Sequence, residues 1–212
     1  MTQAFIIAID GPAAAGKGTL ARRLARHLDY AYLDTGALYR GVAHLVLKQN
    51  GDPNNETDAV NAARALDPLS IDAKAIRTAQ VGAAAAKVAA IAQVRAEILD
   101  LQRRFAHQPP GGRGAVIDGR DIGTVVCPQA DVKIFVTARP EIRAHRRWLE
   151  LKEKDPKLQE ADILADLRQR DKLDEERPIA PLKQAEDALL LDTSELAIEE
   201  AFEMALALIK SK

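Results

Sequence analysis

The chain has few of the residues that build disulfides or thiolate and imidazole metal sites. Cys127 is the single cysteine among 212 residues, which excludes an intrachain disulfide and a metal site made of several thiolates. Its neighbours are apolar or neutral, which favours a small half-buried side chain over a nucleophile. Four histidines are scattered without the spacing of metal ligands: His27, His44, His107 and His145.

The chain also lacks an excess of charge and a long apolar run. Its formal net charge of -1 gives no general attraction to nucleic acid or to acidic membranes. The apolar run Phe5–Ile9 is too short for a signal or membrane-spanning segment, and no basic residue precedes it. No long apolar surface stripe is left unassigned. We therefore expect a monomeric, cytoplasmic protein that binds neither nucleic acid nor membranes.

The stretch from Phe5 to Thr19 has the order of a triphosphate-binding loop. An apolar strand ends at Asp10, a glycine-bounded loop follows, and Lys17 opens a helix. The glycines let backbone N–H groups turn toward an anion, and the positive end of the helix dipole points to the same place. Gly18 stands where G-x-x-x-x-G-K-[ST] has a hydroxyl, which comes one position later. A glycine-rich turn that binds nothing is the alternative.

Short apolar runs alternate with helical stretches, which predicts βαβ units and a layered α/β fold around a parallel sheet. Strands are predicted at 5–10, 31–33, 115–118, 132–137 and 188–192. Helices are predicted at 18–28, 37–49, 75–106, 140–152, 162–169 and 196–210. Ligands of such sheets bind at the carboxyl ends of the strands. Chemistry is therefore expected near the acidic residues found there: Asp10, Asp34, Asp118 and Asp192.

Two charged clusters follow predicted strands. Arg40 lies about one turn into a predicted helix, where its guanidinium could hold a phosphate through two hydrogen bonds, which a lysine cannot do. The alternative is that Arg40 is a surface cation, as an arginine on a helix more often is. Asp118 ends a buried strand, where it can orient water bound to magnesium. Arg120 and Asp121 lie between apolar segments, so they either form a structural ion pair or bind a ligand.

Two segments depart from the sheet pattern. Residues 50–101 begin polar and become alanine-rich, which usually indicates only a good helix. Residues 150–181 are dense in charge, which usually indicates a solvated face. In the second segment, Arg170 and Arg177 are candidates for closing over phosphates, with Asp174 between them. A salt-bridged helix end explains the same residues equally well.

Seven motifs follow one another along nearly the whole chain: GPAAAGKGT, LDTGALYR, AIRTAQV, VAAIAQVR, DGRDIGTVV, RAHRR and RDKLDEERPIAPL. Their order and approximate spacing resemble those of bacterial-type cytidylate kinases. The resemblance implies an α/β, three-layer P-loop kinase with a central parallel five-stranded sheet. It implies one domain over residues 1–212, with a monophosphate-binding insertion at 50–101 and a lid at 152–177. The implied reaction moves the γ-phosphoryl group of ATP to CMP or dCMP with Mg²⁺.

The resemblance also implies roles for individual residues. The residues that would hold ATP are Gly11, Pro12, Ala13, Ala14, Ala15, Gly16, Lys17, Gly18 and Thr19. Magnesium would lie at Thr19 and, through water, at Asp118. The residues that would bind the monophosphate are Thr35, Tyr39, Arg40, Arg95, Arg120, Asp121, Arg170, Asp174 and Arg177. Among these, Arg95 and Asp121 resemble the residues that read cytosine. The implied catalytic residues are Lys17, Arg120, Arg170 and Arg177.

Two departures from the family pattern concern the acceptor side. Ala86 stands where many relatives have a serine that contacts the base, so base affinity or selectivity is expected to differ. The segment between Leu66 and Ile76 is shorter than the hairpin-like segment of relatives. Rival interpretations are an adenylate or shikimate kinase, a nucleotide-dependent switch and an interaction scaffold. The guanine-reading N-K-x-D element of GTPase switches is absent from the sequence.

Overall fold

A parallel sheet forms the centre of the fold. The computed structural model describes residues 4–153 and 155–210, and within these residues the sheet has five strands. They are β1 (Phe5–Asp10), β2 (Ala31–Asp34), β3 (Gly114–Gly119), β4 (Val132–Thr137) and β5 (Leu189–Asp192). Their order across the sheet is β2-β3-β1-β4-β5, and every neighbouring pair is parallel. The predicted sheet is therefore confirmed.

Helices connect the strands and cover both faces of the sheet. They are α1 (Lys17–Leu28), α2 (Thr35–Lys48), α3 (Glu56–Arg64), α4 (Ala79–Ala90), α5 (Ala92–His107), α6 (Pro140–Leu151), α7 (Glu160–Glu176) and α8 (Ile198–Lys210). Short 3-10 turns lie at Pro68–Ser70 and Ala75–Arg77, and a π-helical turn lies at Ile122–Val126. No helix in the described part of the chain is long and apolar enough to cross a membrane.

The helix predicted over 75–106 is wrong as a single element. Ile91 has an extended backbone, with φ -79° and ψ 120°, and it separates α4 from α5. Its N–H still bonds to the Val88 carbonyl, and its own carbonyl accepts from the Arg95 N–H, so the chain turns without losing these bonds. The break lets Val88 and Val94 enter one apolar cluster from two helix directions. Alanine-rich sequence has high helix propensity throughout and does not mark such a turn.

Other boundaries also differ from the prediction. Helix α3 lies in the polar first part of the 50–101 segment, where no helix was predicted, and Asn55 caps it by accepting from the Asp58 N–H at 3.1 Å. The prediction for α7 was too short. The helix has many charged residues, and they weaken the apolar periodicity by which a helix is recognised in a sequence. Helix α2 begins at Thr35, directly after Asp34, whose side chain accepts from the Ala37 N–H.

The core lies on both faces of the central strand. On one face, Ile7 and Ile9 pack with residues of α1 and α8 around Leu24 and Leu206. On the other face, Ile6 and residues of β3 pack against α5 and the π-helical turn. A separate cluster joins α2, α3, α4 and α5, so the 50–101 segment is built onto α2. The layers are therefore helix, sheet and helix.

Parallel strand register brings carboxylates to one edge of the sheet. Asp34 at the end of β2 pairs in register with Asp118 of β3, and Asp10 at the end of β1 pairs with Gly119. Asp192 ends β5 in register with Thr137 of β4. This edge lies at the carboxyl ends of the strands, where the acidic residues were expected to meet.

A substitution at Gly11 tests whether the turn that follows β1 requires a glycine. Its φ is +145°, and a Cβ there would lie 1.9 Å from the Val136 carbonyl oxygen, which is backbone and cannot rotate away. We expect Gly11→Ala to lower the free energy of unfolding by about 3 kcal/mol or more, measured by urea denaturation. Gly82, within α4, is the matched control because a Cβ there meets nothing within 4 Å. Gly82→Ala should raise stability by up to about 1 kcal/mol, and equal losses in both variants would contradict this account.

Candidate active site

The loop between β1 and α1 forms a concave surface of backbone N–H groups. Ala14 has φ +59° and Gly16 has φ +87°, left-handed values that let successive peptides point inward. Two loop carbonyls have fixed partners: the Pro12 oxygen accepts from Lys17 Nζ at 2.8 Å and the Ala15 oxygen from Thr193 Oγ1 at 3.2 Å. Because C=O and N–H point opposite ways across a trans peptide, these bonds also fix the direction of the N–H group of each of the two peptides. Such a concavity binds anions.

Lys17 lies at the base of this loop and is 6% exposed. Burial, followed by the charge of Arg120, lowers the pKa of Lys17 to about 7, although Asp118 and Asp10 oppose the shift. A buried ammonium beside a guanidinium is short of negative charge. The position therefore suits a polyanion, which is the chemistry that the sequence predicted for Lys17.

Asp118 and Asp34 place two carboxylates side by side next to the loop. Asp118 accepts from the Tyr32 hydroxyl at 2.9 Å, and burial together with the charge of Asp34 raises its pKa. A Cβ on Gly18 would lie 3.2 Å from Asp118 Oδ2, so the glycine allows α1 to start close to this carboxylate. Thr19 lines the same cavity as Asp34.

These oxygen donors fit a magnesium ion. Carboxylate and hydroxyl oxygens are the ligands that Mg²⁺ prefers, and a cation would relieve the repulsion between the two acids. The described residues offer no group of three or more acidic, histidine or cysteine side chains placed around a metal. A magnesium ion here would have only a partial shell of protein oxygens, which phosphate oxygens and water would complete.

Four arginines lie near one another: Arg40, Arg120 and Arg170 are close enough to repel each other, and Arg177 lies near Asp174, the partner of Arg120. Arg120 Nε donates to Asp174 Oδ2 at 2.8 Å, so the π-turn side of the site is joined to α7. Burial, followed by the charge of Arg120, lowers the pKa of Arg170 to about 10. Its Nε has no hydrogen-bond partner among the residues that the structure describes. Half-buried guanidinium groups that lie together and are incompletely paired favour an anion site.

Arg95 and Asp121 form a second group of charged side chains next to the four arginines just described. They form a buried ion pair, with Arg177 Nη2 3.3 Å from the other oxygen of Asp121. The guanidinium of Arg95 lies over the ring of Tyr39, 5.7 Å from its centroid. Arg95 Nη1 is buried and has no hydrogen-bond partner in the described part of the chain. The pair thus offers donors and an acceptor side by side, the pattern that complements a base edge.

Thr35, a predicted substrate residue, makes a hydrogen bond within the protein. Its hydroxyl is buried and donates to the Asp118 carbonyl at 2.8 Å, which ties the start of α2 to β3. Gly119 makes this approach possible, since a Cβ there would lie 2.6 Å from Thr35 Oγ1. The structure therefore shows a positioning contact for Thr35.

Sequence reasoning missed the wall on the far side of the loop. A cavity of about 620 Å³ extends from the loop to the segment after β5. Its apolar side includes Leu196 and Ile198, and Arg146 and Arg147 of α6 face it. Arg146 donates to the Thr193 hydroxyl at 3.0 Å and to the Thr193 carbonyl at 2.6 Å, which fixes its position. A slot between apolar side chains and arginine suits a flat aromatic group. Only the RAHRR motif marked this region.

Asp10 joins the two halves of the site. Its carboxylate accepts from the N–H groups of Ile122 at 2.8 Å and Gly123 at 2.7 Å. It therefore anchors the turn that follows Asp121 to the strand that leads into the loop. Burial raises the pKa of Asp10 to about 6 despite these bonds. The sequence placed Asp10 at a strand end but gave it no partner.

A family model of cytidylate kinases matches residues 7–211. The chain belongs to the cytidylate kinase family. Two relatives named cytidylate kinase are similar over nearly their whole length. The protein from Rhodospirillum rubrum is 55% identical over 209 residues, covering 98% of each chain. The protein from Paramagnetospirillum magneticum is 56% identical over 207 residues, again covering 98% of each chain.

The fold of this cytidylate kinase family member is shared with other P-loop kinases. The shikimate kinase from Bacteroides thetaiotaomicron aligns with a TM-score of 0.51, covering 97% of this chain and 98% of that one. The two sequences are only 13% identical, so this likeness concerns the fold alone.

Asp10 makes stability depend on pH in a defined direction. Its native pKa of about 6 lies above the ordinary value, so between about pH 4 and 6 the native state keeps a proton that the unfolded chain has lost. The contribution of Asp10 to the free energy of unfolding therefore falls as pH rises through that window. We expect the stability difference between the wild type and Asp10→Asn to fall by about 2 kcal/mol from pH 4 to pH 7. Urea denaturation across this range measures it, and a constant or rising difference would contradict the assignment.

Proposed function

We propose that this protein is a cytidylate kinase that transfers the γ-phosphoryl group of ATP to CMP or dCMP, giving CDP or dCDP. One observation carries the proposal. The loop lysine Lys17 and the buried Arg95–Asp121 pair are linked through neighbouring arginines, because Arg120 lies close to Lys17 and Arg177 contacts Asp121. A donor triphosphate and an acceptor base can therefore be held with their phosphates meeting among the arginines. The protein is proposed to act as a monomer in the cytoplasm.

The donor would occupy the loop and the cavity beside it. Residues 11–19 would bind the phosphates through backbone N–H groups, with Lys17 on the outer phosphates. The slot between Arg146 and Ile198 would take the adenine. Thr19 and, through water, Asp118 would hold Mg²⁺. When bound, the ion supplies positive charge that offsets the charge on the phosphate oxygens.

The acceptor would lie on the other side of the cluster. Arg40, Arg120 and Arg177 would grip its phosphate bidentately. Arg95 would donate to the O2 and N3 acceptors of cytosine while Asp121 accepts from the exocyclic amine. Tyr39 supports Arg95 from below.

Arg170 and Asp174 are proposed for the sugar and the phosphates. Both lie on α7, in the 152–177 segment proposed as the lid. Asp174 bonds to Arg120 in this structure, so substrate would share or replace that contact. Ala86, half-buried on α4 in the 50–101 segment proposed to bind the monophosphate, offers no hydroxyl to the base.

The chemistry needs position and charge rather than a covalent catalyst. The acceptor phosphate is already anionic, so no strong general base is required. Lys17, the arginines and magnesium would balance the charge that spreads over the transferring group. The site must also exclude water, because water would otherwise accept the phosphoryl group. Closure of the segment that carries Arg170 and Arg177 serves that purpose.

A coupled assay of ADP formation tests the function. ATP is offered with CMP, dCMP, UMP, AMP and shikimate in parallel. We expect kcat/KM for CMP or dCMP to exceed that for AMP and shikimate by at least about 100-fold. The reason is that the hydrogen-bonding groups of Arg95 and Asp121 complement cytosine better than they complement adenine or shikimate. Preference for AMP or shikimate would overturn the proposal, and ATP turnover without any acceptor would favour the switch interpretation.

A matched pair of lysine variants shows whether the loop performs the reaction. Lys17→Ala should lower kcat by at least about 100-fold, since a charge on the transferring phosphates is lost. Lys87, exposed on α4, is the control, and Lys87→Ala should retain wild-type kcat. Near-normal turnover by Lys17→Ala would refute the phosphate role.

Asp121→Asn tests the reading of cytosine. The amide presents donors where the carboxylate only accepts, so it matches the O4 of uracil better than the amine of cytosine. We expect the ratio of kcat/KM for CMP over UMP to fall by about tenfold. Glu97→Gln, an exposed change on α5, should leave the ratio unchanged. Equal losses on CMP and UMP would indicate a structural role for Asp121.

A further inference from the structure

Arg143 of α6 is a buried arginine that lies outside the cavity described above. It is 3% exposed, and its guanidinium donates in three directions. Nε donates to the Ala138 carbonyl at 2.8 Å, Nη1 to the Ala13 carbonyl at 3.1 Å and Nη2 to Asp171 Oδ2 at 2.7 Å. One planar group thus joins the end of β4, the phosphate loop and α7. Only a guanidinium has the fixed fork that reaches three acceptors in this way.

The contact with Ala13 determines the direction of one loop peptide. The peptide between Ala13 and Ala14 is trans, so its carbonyl and its N–H point to opposite sides. With the Ala13 carbonyl held by Arg143 on the outer side, the Ala14 N–H faces the concave side of the loop. Ala14 has φ +59°, a conformation that a residue with a Cβ adopts only at a cost. A fixed partner for the neighbouring carbonyl helps the loop to keep it.

The contact with Asp171 determines the position of α7. Asp171 follows Arg170 directly and lies one helical turn before Asp174. Its side chain is half-buried, and its second oxygen, Oδ1, is buried and has no hydrogen-bond partner within residues 4–153 and 155–210. The ion pair with Arg143 therefore anchors the part of α7 that presents Arg170 and Asp174 to the site.

An apolar seam runs beside these polar contacts. Ala13 of the loop packs with Ala144 of α6 and with Ile163 and Leu167 of α7. The loop, α6 and α7 therefore pack as one unit, with Arg143 at its polar edge. Apolar side chains would close such a seam at least as favourably, because burying an ion pair costs desolvation. Stability alone does not call for a buried arginine here.

We propose that Arg143 is a positioning residue that orients the Ala13–Ala14 peptide toward the donor phosphates and, through Asp171, places Arg170 and Asp174 of α7. The proposal rests on the proposed function for its effect on turnover. Its effect on ATP binding is independent of which acceptor is used. The same guanidinium would thus fix the positions of both the loop between β1 and α1 and helix α7.

The structure offers a matched control for Arg143. Arg168 of α7 also joins α6 and α7, through Glu141 at 2.7 Å, but this pair is exposed and touches neither the loop nor the site. Arg143→Met and Arg168→Met each remove one ion pair between the same two helices. A difference between them therefore reports the contacts that only Arg143 makes.

The first experiment compares binding by calorimetry well below the unfolding temperature of each variant. We expect Arg143→Met to raise the Kd of ATP with magnesium by about tenfold, while the Kd of CMP alone changes by less than about threefold. Arg168→Met should leave both constants within about twofold of wild type. Arg143→Lys, which keeps the charge without the fork, should recover only part of the ATP affinity. If Arg143→Met does not fold, Arg143→Lys replaces it in the comparison with Arg168→Met.

The second experiment separates the two directions of the contact. Asp171→Asn leaves Arg143 on the Ala13 carbonyl, so the Kd of ATP should stay within about threefold while kcat falls by about tenfold. If Arg143→Met has a lower unfolding temperature but an unchanged Kd for ATP and an unchanged kcat, Arg143 has only a structural role and the proposal is wrong. Unchanged kcat in Asp171→Asn would overturn the placement of α7. A wild type that binds ATP but phosphorylates neither CMP nor dCMP would refute the proposed function, and the ATP comparison would still decide the role of Arg143.

Discussion

The structure depends on the charge that a parallel sheet concentrates along one edge. Strand ends bring Asp10, Asp34 and Asp118 together, and the helices that follow bring a lysine and several arginines to the same place. Buried charges are tolerated only when partners surround them. Each acid here has a specific contact: Asp10 with the π-turn, Asp34 with α2 and Asp118 with Tyr32. Several buried guanidinium nitrogens have no hydrogen-bond partner within the described residues, and this imbalance supports the proposed binding of polyanions at this edge.

The same contacts link parts of the site that lie far apart in the sequence. Asp10 joins the strand that leads into the loop to the turn after Asp121, so the proposed donor and acceptor sides share one connection. Arg143 joins the loop to α7 from the other side. A loop held at both ends in this way can keep a strained backbone, because the surroundings determine it more strongly than local preference does. Precise placement of phosphates then needs little rearrangement when they bind.

The sequence predicted the fold well where periodicity was strong and less well elsewhere. The strands appeared as short continuous apolar runs because both faces of the sheet are covered. The break at Ile91 was not predicted, since nothing in an alanine-rich stretch opposes a continuous helix. The full length of α7 was also missed, because it buries only Ile163 and Leu167 and shows a weak apolar stripe. Boundaries set by packing rather than by local pattern were thus beyond the sequence.

Within the site, the sequence by itself determined which chemistry is present, and the tertiary structure decided which residues work together. The order of strand, glycine loop, lysine and helix indicates phosphate binding because those elements meet through local geometry alone. The pairings of Arg95 with Asp121, Arg120 with Asp174 and Arg143 with Asp171 span 26, 54 and 28 residues. A charged residue has many candidate partners in a chain this rich in charge, and only packing selects one. Thr35 shows the same limit, since its hydroxyl bonds to a strand that lies 83 residues away.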